Sequence, residues 1–88
     1  MSKSLHEYTL DIRGTFIFDV PKGSCVLSTL AQGGKPTIWV EVPDTKETQK
    51  ITLQVISTGD IVPEGWHIGT CSSYNGKIIS HVYLICTR

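Results

Sequence analysis

The feature that most constrains this chain is an alternation of apolar and polar residues with a period of two, which recurs along most of its length. Segments such as TFIFDV (15–20) and KIISHVYLIC (77–86) consist largely of β-branched and aromatic residues, which favour strands. The period of about 3.6 residues that marks amphipathic helices is almost absent. The pattern therefore predicts an all-β domain.

Seven candidate strands follow from this alternation. Pro and Gly at 21 and 23, and again at 63 and 65, mark strand ends, because both pairs suit type I turns. Strands this short and this closely spaced predict a small antiparallel sandwich or barrel of six to seven strands, with at most one short helical turn, near residues 46–49. The predicted strands lie at about 6–12, 15–20, 25–32, 37–42, 49–57, 66–74 and 77–86.

Length and charge limit the classes of partner. Eighty-eight residues predict one domain, 1–88, with a single small core. Eight Lys and Arg balance eight Asp and Glu, and no basic run is present that would neutralise a line of phosphates, so duplex nucleic acid is not expected as a partner. A small anionic ligand remains compatible, since it needs only one or two donors.

The composition also bears on location. The amino end lacks the apolar run of a signal peptide, and no stretch approaches the length of a membrane span, which predicts a cytoplasmic protein without a membrane partner. The three cysteines, Cys25, Cys71 and Cys86, form an odd and sparse set. Reduced thiols explain such a set better than a disulfide framework.

Asn75-Gly76 is the strongest local signal, because this pair is favoured in two-residue type I′ hairpins. With Tyr74 and Lys77 flanking the turn, a regular ladder places Thr70 opposite His81 and points His67 to the opposite face from Trp66. A bulge at Gly65 or Gly69 would change this register. The face predicted to hold Trp66 also holds Ile68, Thr70, Ser72, Ile79, His81, Tyr83 and Ile85.

Gly33-Gly34 predicts a second hairpin. Its register places Leu27, Thr29, Ile38 and Val40 on a core face. Trp39 then lies on the opposite, mixed face, directly across from Ser28. A mixed face with one large aromatic residue suits a ligand or partner surface.

Motifs for catalysis and for metal or cofactor binding are missing. His67 and Cys71 lie too far apart along one strand to bind one ion, and His81 is predicted on the other face from both. The glycines at 59, 65 and 69 match neither dinucleotide-binding nor P-loop spacing. We therefore expect a protein that is not an enzyme and carries no metal and no cofactor.

What remains is a set of aromatic and polar residues suited to binding. In a domain with so few large residues a tryptophan is more often part of the core, but aromatic rings exposed on a surface stack on planar ligands. His81 is expected to form a hydrogen bond with Thr70 or with backbone. The candidate ligand-binding residues are Trp39, Thr58, Gly59, Trp66, Thr70, His81 and Tyr83.

Several ordered residues carry a resemblance. Tyr8-x-Leu10, Pro21-x-Gly23-x-x-x-Leu27-Ser28, Trp39, Thr58-Gly59, Ile68-Gly69-Thr70 and His81-Val82-Tyr83 occur in this order. Over nearly its full length the chain resembles a family of short bacteriophage proteins known only as a domain of unknown function. The resemblance departs at Asp60, where the family has His, and at His67, where Tyr is common. It implies a phage protein in the bacterial host cytosol.

Two functions are compatible with these observations. The first is sequestration of a nucleotide-type immune signal of the host by a homo-oligomer, in which Trp39 or Trp66 stacks on the base. Thr58, Thr70 and His81 then supply hydrogen bonds. The second is a protein-binding inhibitor or structural phage component, which acts through an exposed edge strand or the Trp39 face without a small ligand.

Overall fold

A computed structural model, which describes residues 2–85, shows seven strands in two antiparallel sheets that face each other as a sandwich. The all-β prediction is confirmed. Residues 2–85 contain no helix: residues 44–47 form an irregular connection and a strand begins at Thr48, so no helical turn forms near residues 46–49, and this part of the chain offers no helix able to cross a membrane. The strands are β1 (Lys3–Thr9), β2 (Gly14–Pro21), β3 (Cys25–Gln32), β4 (Lys35–Pro43), β5 (Thr48–Ser57), β6 (Gly65–Ser73) and β7 (Ile78–Ile85).

The core lies between the two sheets. One sheet has the strand order β1-β4-β3 and the other β2-β5-β7-β6. Alternation along each strand sends one set of apolar residues inward, which is the period-two pattern of the sequence. The buried core consists of Leu10, Val20, Ile38, Val40, Val42, Ile51, Leu53, Val55 and Val82.

The β3–β4 hairpin has the predicted register near its turn and loses it further along. Ser28 lies opposite Trp39, as predicted, but a bulge between Val26 and Ser28 shifts the pairing. Val26 therefore pairs with Val40 and packs against the core, while Leu27 is 49% exposed. The prediction that Leu27 faces the core is wrong, because one extra residue in a strand exchanges its two faces.

The β6–β7 hairpin behaves in the same way. Asn75 and Gly76 both have positive φ, and the amide of Lys77 donates to the carbonyl of Tyr74, as a type I′ turn requires. The ladder is regular back to Gly69 and includes the predicted pair of Thr70 and His81. This part of the register is confirmed.

A second bulge between His67 and Gly69 reverses the side chains beyond it. Trp66 lies opposite Leu84, and His67 lies opposite Tyr83. Trp66 and His67 do point to opposite faces, as predicted, but each occupies the face assigned to the other. The regular register failed here because the extra residue, Ile68, shifts every preceding side chain to the other face.

Close approach of a side chain at one position and of backbone at the other explains why glycines lie on both sides of this bulge. A Cβ on Gly69 would lie 2.7 Å from Cγ2 of Thr29, which belongs to β3 of the opposite sheet. A Cβ on Gly65 would overlap the carbonyl oxygen of Leu84 in the neighbouring strand. Both positions therefore need glycine, since any larger residue would push the strands apart.

Candidate functional site

Four side chains on the outer face of the four-stranded sheet form one hydrogen-bonded series, here called the polar chain. The Oγ1 atom of Thr58 lies 2.9 Å from Nε2 of His81, and Nδ1 of His81 lies 3.0 Å from Oγ1 of Thr70. The same Thr70 oxygen lies 3.1 Å from Nε2 of His67. The polar chain thus runs from Thr58 through His81 and Thr70 to His67.

The hydrogen bonds of the polar chain orient its members. A neutral imidazole has one donor and one acceptor nitrogen, and a threonine hydroxyl has one donor. When Thr58 donates to His81, the other nitrogen of His81 donates to Thr70, and Thr70 donates to His67. The opposite direction is equally consistent, so the ends at Thr58 and His67 can present either a donor or an acceptor to a ligand.

Aromatic rings continue the site beyond the polar chain. The ring centroids of His67 and Tyr83 are 5.2 Å apart with a tilt of 59°, and those of His67 and His81 are 6.5 Å apart. His67 is exposed and Tyr83 is half-buried. The three rings offer π-faces and edges suited to a planar ligand.

The loop between β5 and β6 brings Thr58 to His81. The Oδ2 atom of Asp60 accepts from the backbone amide of Ser57 at 2.9 Å, and its Oδ1 accepts from Nη2 of Arg13 at 3.0 Å. The amide of Asp60 in turn donates to the carbonyl of Ser57. Gly59 has a φ of +99°, which closes the turn between them at little cost for glycine. Asp60 therefore fixes the loop.

A pocket of about 170 Å³ lies between this loop and β7. Its floor is apolar, because Ile56 is only 6% exposed beneath the loop. Its walls combine a hydroxyl, an imidazole and a phenol ring. The lining consists of Ile56, Ser57, Thr58, Gly59, Asp60, Val62, His81 and Tyr83.

The structure brings together five of the seven predicted ligand-binding residues. Thr58, Gly59, His81 and Tyr83 line the pocket, and Thr70 holds His81 from the side. The hydrogen bond between His81 and Thr70 is confirmed.

The two tryptophans lie elsewhere. Trp66 borders a cleft of about 390 Å³ between the sheets and is 63% exposed, while Trp39 is half-buried on the outer face of the three-stranded sheet. The bulge that removes Trp66 from the predicted face is also what brings His67 to it. In the sequence, Gly69 was the sign that a bulge could occur here and exchange the faces of Trp66 and His67.

The thiols have separate surroundings. Cys71 is buried, with its Sγ 3.3 Å from Oγ1 of Thr29, and Cys25 is exposed. Cys86 lies outside the described residues. Over residues 2–85 no three His, Cys, Asp or Glu side chains converge as metal ligands.

Comparison with known proteins gives one family. A family model for DUF7352, a domain of unknown function, matches residues 1–85. This supports the resemblance to a domain of unknown function, while a phage source stays a prediction. Neither curated proteins nor solved structures gave a match.

Proposed function

The chain belongs to the DUF7352 family, a domain of unknown function, and from that premise we propose that it is a non-enzymatic binding protein for a nucleotide-type ligand. In a phage-infected bacterium such a protein would remove a nucleotide immune signal of the host. The ligand would lie on the outer face of the four-stranded sheet, against the polar chain and the pocket. This assignment of the phage setting rests on the resemblance of the sequence alone.

The observation that carries the proposal is the polar chain with its adjoining rings. Hydroxyl and imidazole groups that orient one another are prepared to hydrogen-bond a ligand without further ordering. Tyr83 and the imidazole of His67 offer stacking surfaces beside them. Base stacking next to fixed hydrogen-bonding groups is how proteins hold single nucleotides.

Denaturing the purified full chain and analysing the released small molecules by mass spectrometry tests this proposal. We expect a stoichiometric nucleotide, or else an increase in melting temperature when nucleotides are added, because a ligand that binds only the folded state stabilises it. A panel of linear and cyclic nucleotides provides the ligands. If nothing is released and no nucleotide shifts the melting temperature, the proposal is wrong.

A matched pair of variants locates the binding. His81→Phe keeps an aromatic ring but removes the two nitrogens that contact Thr58 and Thr70. We expect it to lose most of the nucleotide-dependent stabilisation. Trp39→Phe, which changes a ring on the opposite sheet, should retain it. Equal losses in both variants would contradict the proposed location.

The Trp39 face favours a second candidate function, protein docking, with a second copy of this chain as the occupant. Trp39 occupies the central strand of its sheet, and Leu5 and Leu30 on the neighbouring strands are each 64% exposed. Exposed apolar residues that cluster on one face are typical of protein interfaces. Both neighbouring strands are also sheet edges, with backbone groups free to pair.

Self-association through this face is tested by light scattering over a concentration series. We expect the wild-type chain to exceed the mass of a monomer and Leu30→Lys to reduce it to a monomer. Ile17→Lys is the matched control, because Ile17 is 62% exposed on the other sheet. A wild-type chain that remains monomeric at every concentration contradicts self-association.

A further inference from the structure

On the premise of the proposed function, we infer that the pocket takes a base with a single six-membered ring. The ligand class is therefore a nucleotide with a pyrimidine or pyridine base, and purine nucleotides are discriminated against. Two observations carry this inference: the size of the pocket and the chemistry of its lining.

The volume of the pocket suits one ring. It measures about 170 Å³. An engineered apolar cavity of about 150 Å³ binds benzene, whereas sites for larger ligands measure about 300–1,000 Å³. A fused two-ring base needs more than this volume and would leave part of its surface outside the pocket. Pocket size thus separates the two classes of base.

The lining suits a ring that is apolar on its face and polar at its edge. Ile56 forms the apolar floor, and Val62 belongs to the lining supplied by the loop. Thr58 and His81 carry the polar atoms on one side. Pyrimidine and nicotinamide rings carry carbonyl and amide groups at their edges, and a hydroxyl can donate to a carbonyl oxygen or accept from an amide N–H.

The sugar and phosphate of such a ligand would follow the open face toward His67. The pocket is bounded on this side by Tyr83, and the ring of His67 lies next to Tyr83 at a centroid distance of 5.2 Å. Nδ1 of His67 takes no part in the polar chain, which uses Nε2. An N–H at this position can donate to a phosphate oxygen.

Calorimetric titration of the full chain tests the inference. The ligands are UMP, CMP and nicotinamide mononucleotide, compared with AMP and GMP at the same ionic strength. We expect at least one single-ring nucleotide to bind about tenfold or more tightly than both purine nucleotides. The comparison of UMP with nicotinamide mononucleotide identifies which single-ring base is preferred.

A variant that enlarges the pocket provides a second readout. Val62→Ala removes two methyl groups from the lining, so the purine nucleotides should gain affinity relative to UMP. Ile61→Ala is the matched control, because Ile61 is the next residue in the loop, is 92% exposed and does not line this pocket. Ile61→Ala should leave the affinity of the purine nucleotides relative to UMP unchanged. Both side chains are exposed, so neither variant is expected to impair folding.

The outcomes separate the inference from the proposed function. Purine nucleotides that bind as tightly as UMP, with binding lost in His81→Phe, would overturn the inference and leave the proposed function intact. A preference for single-ring over purine nucleotides that stays the same in Val62→Ala would also overturn the inference, since the loop would then not determine that preference. If none of the five nucleotides binds, the inference is wrong, and the release assay with the wider panel of linear and cyclic nucleotides decides the proposed function separately.

Discussion

Thr70 carries the single hydroxyl that joins the two imidazoles of the polar chain. In Thr70→Val the hydroxyl is replaced by a methyl group of similar size, so both imidazoles lose one partner. We expect the tautomer preferences of His67 and His81 to change together, which nitrogen NMR of the histidine side chains measures. Because the site is exposed, the free energy of unfolding should change by less than about 0.5 kcal/mol.

Ser72→Ala is the control for this prediction. Ser72 lies two residues along β6 on the same exposed face, and its ladder partner is Ile79 rather than a histidine. Its replacement should leave both histidine spectra as they are. Spectra of Thr70→Val that match the wild type would mean that the polar chain does not form in solution.

Two threonines, one buried and one half-buried, predict stability changes of opposite sign. Thr37 is 1% exposed, and its Oγ1 finds no hydrogen-bond partner within residues 2–85. Thr29, by contrast, donates from Oγ1 to the carbonyl of Thr37 at 2.9 Å. Thr37→Val should stabilise the fold by about 1 kcal/mol, since it removes an unpaired buried hydroxyl, while Thr29→Val should destabilise it by about 1 kcal/mol.

Urea denaturation measures both changes. The two substitutions are chemically identical and lie on neighbouring strands of the same sheet, so each serves as the control for the other. The sign of the difference between them is the decisive quantity. Equal destabilisation by both would show that the Thr37 hydroxyl has a partner.

At the scale of elements, the turns of two hairpins meet at one end of the sandwich. Gly33 and Gly34 have φ values of +60° and +82°. A Cβ on Gly34 would lie 2.8 Å from the hydroxyl oxygen of Tyr74, at the turn of the other hairpin, whereas a Cβ on Gly33 would meet nothing within 4 Å. A substitution of Gly33 therefore tests backbone strain alone, whereas a substitution of Gly34 tests backbone strain together with the contact between the two hairpin turns.

We expect Gly33→Ala to cost about 1–2 kcal/mol, because alanine is strained at positive φ. Gly34→Ala should cost about 1 kcal/mol more, since its methyl group must displace the Tyr74 ring. In a Tyr74→Ala background this additional cost should disappear. Urea denaturation of both glycine variants, each with and without Tyr74→Ala, measures the additional cost as a coupling free energy. An unchanged difference in that background would rule out the contact.

The β6–β7 hairpin contains one feature that the sequence can predict and one that it cannot. The type I′ turn at Asn75-Gly76 could be predicted because its signal is local: two residues that accept positive φ. At the bulge that contains Ile68, the neighbouring Gly69 is approached by Thr29 of the opposite sheet. No local pattern contains that contact, so the sequence offers a bulge at Gly65 or Gly69 as a possibility and does not decide whether it forms.

The same distinction applies to the candidate site. Thr70 and His81 could be paired from the hairpin alone. Asp60 lies in a turn segment and its partner Arg13 lies 47 residues away in sequence, so no local pattern predicts that it fixes the loop. The register predicted for β6 and β7 contains no bulge, and for that reason it assigns His67 to the wrong face of the sheet. Long-range contacts thus determine the parts of the site that the sequence did not reveal.

At the scale of the whole molecule, the connectivity predicts slow folding. Only β3–β4 and β6–β7 are pairs of consecutive strands that hydrogen-bond to each other. The remaining pairs, β1–β4, β2–β5 and β5–β7, join strands that are not neighbours in sequence. When strands that are distant in sequence pair, the chain between them loses conformational entropy before the new contacts form. Folding of such sandwiches therefore takes about milliseconds to seconds.

Stopped-flow refolding followed by tryptophan fluorescence measures this rate. We expect the main phase on a time scale of about milliseconds to seconds. Trp39→Phe and Trp66→Phe variants should give the same main rate, because one remaining tryptophan reports on each sheet and the sheets share one core. Different main rates would show that the two sheets form independently.

The attachment of the β5–β6 loop has a consequence for how this scaffold can change. Asp60 secures the start of the loop through Ser57 and Arg13, and Gly65 secures its end against Leu84. Between these two fixed points, Ile61 and Val62 are 92% and 61% exposed. The tip of the loop can therefore vary: a new side chain at position 62 would alter what the pocket accepts, whereas one at position 61 would change only the surface beside it, and the sandwich beneath the loop stays the same.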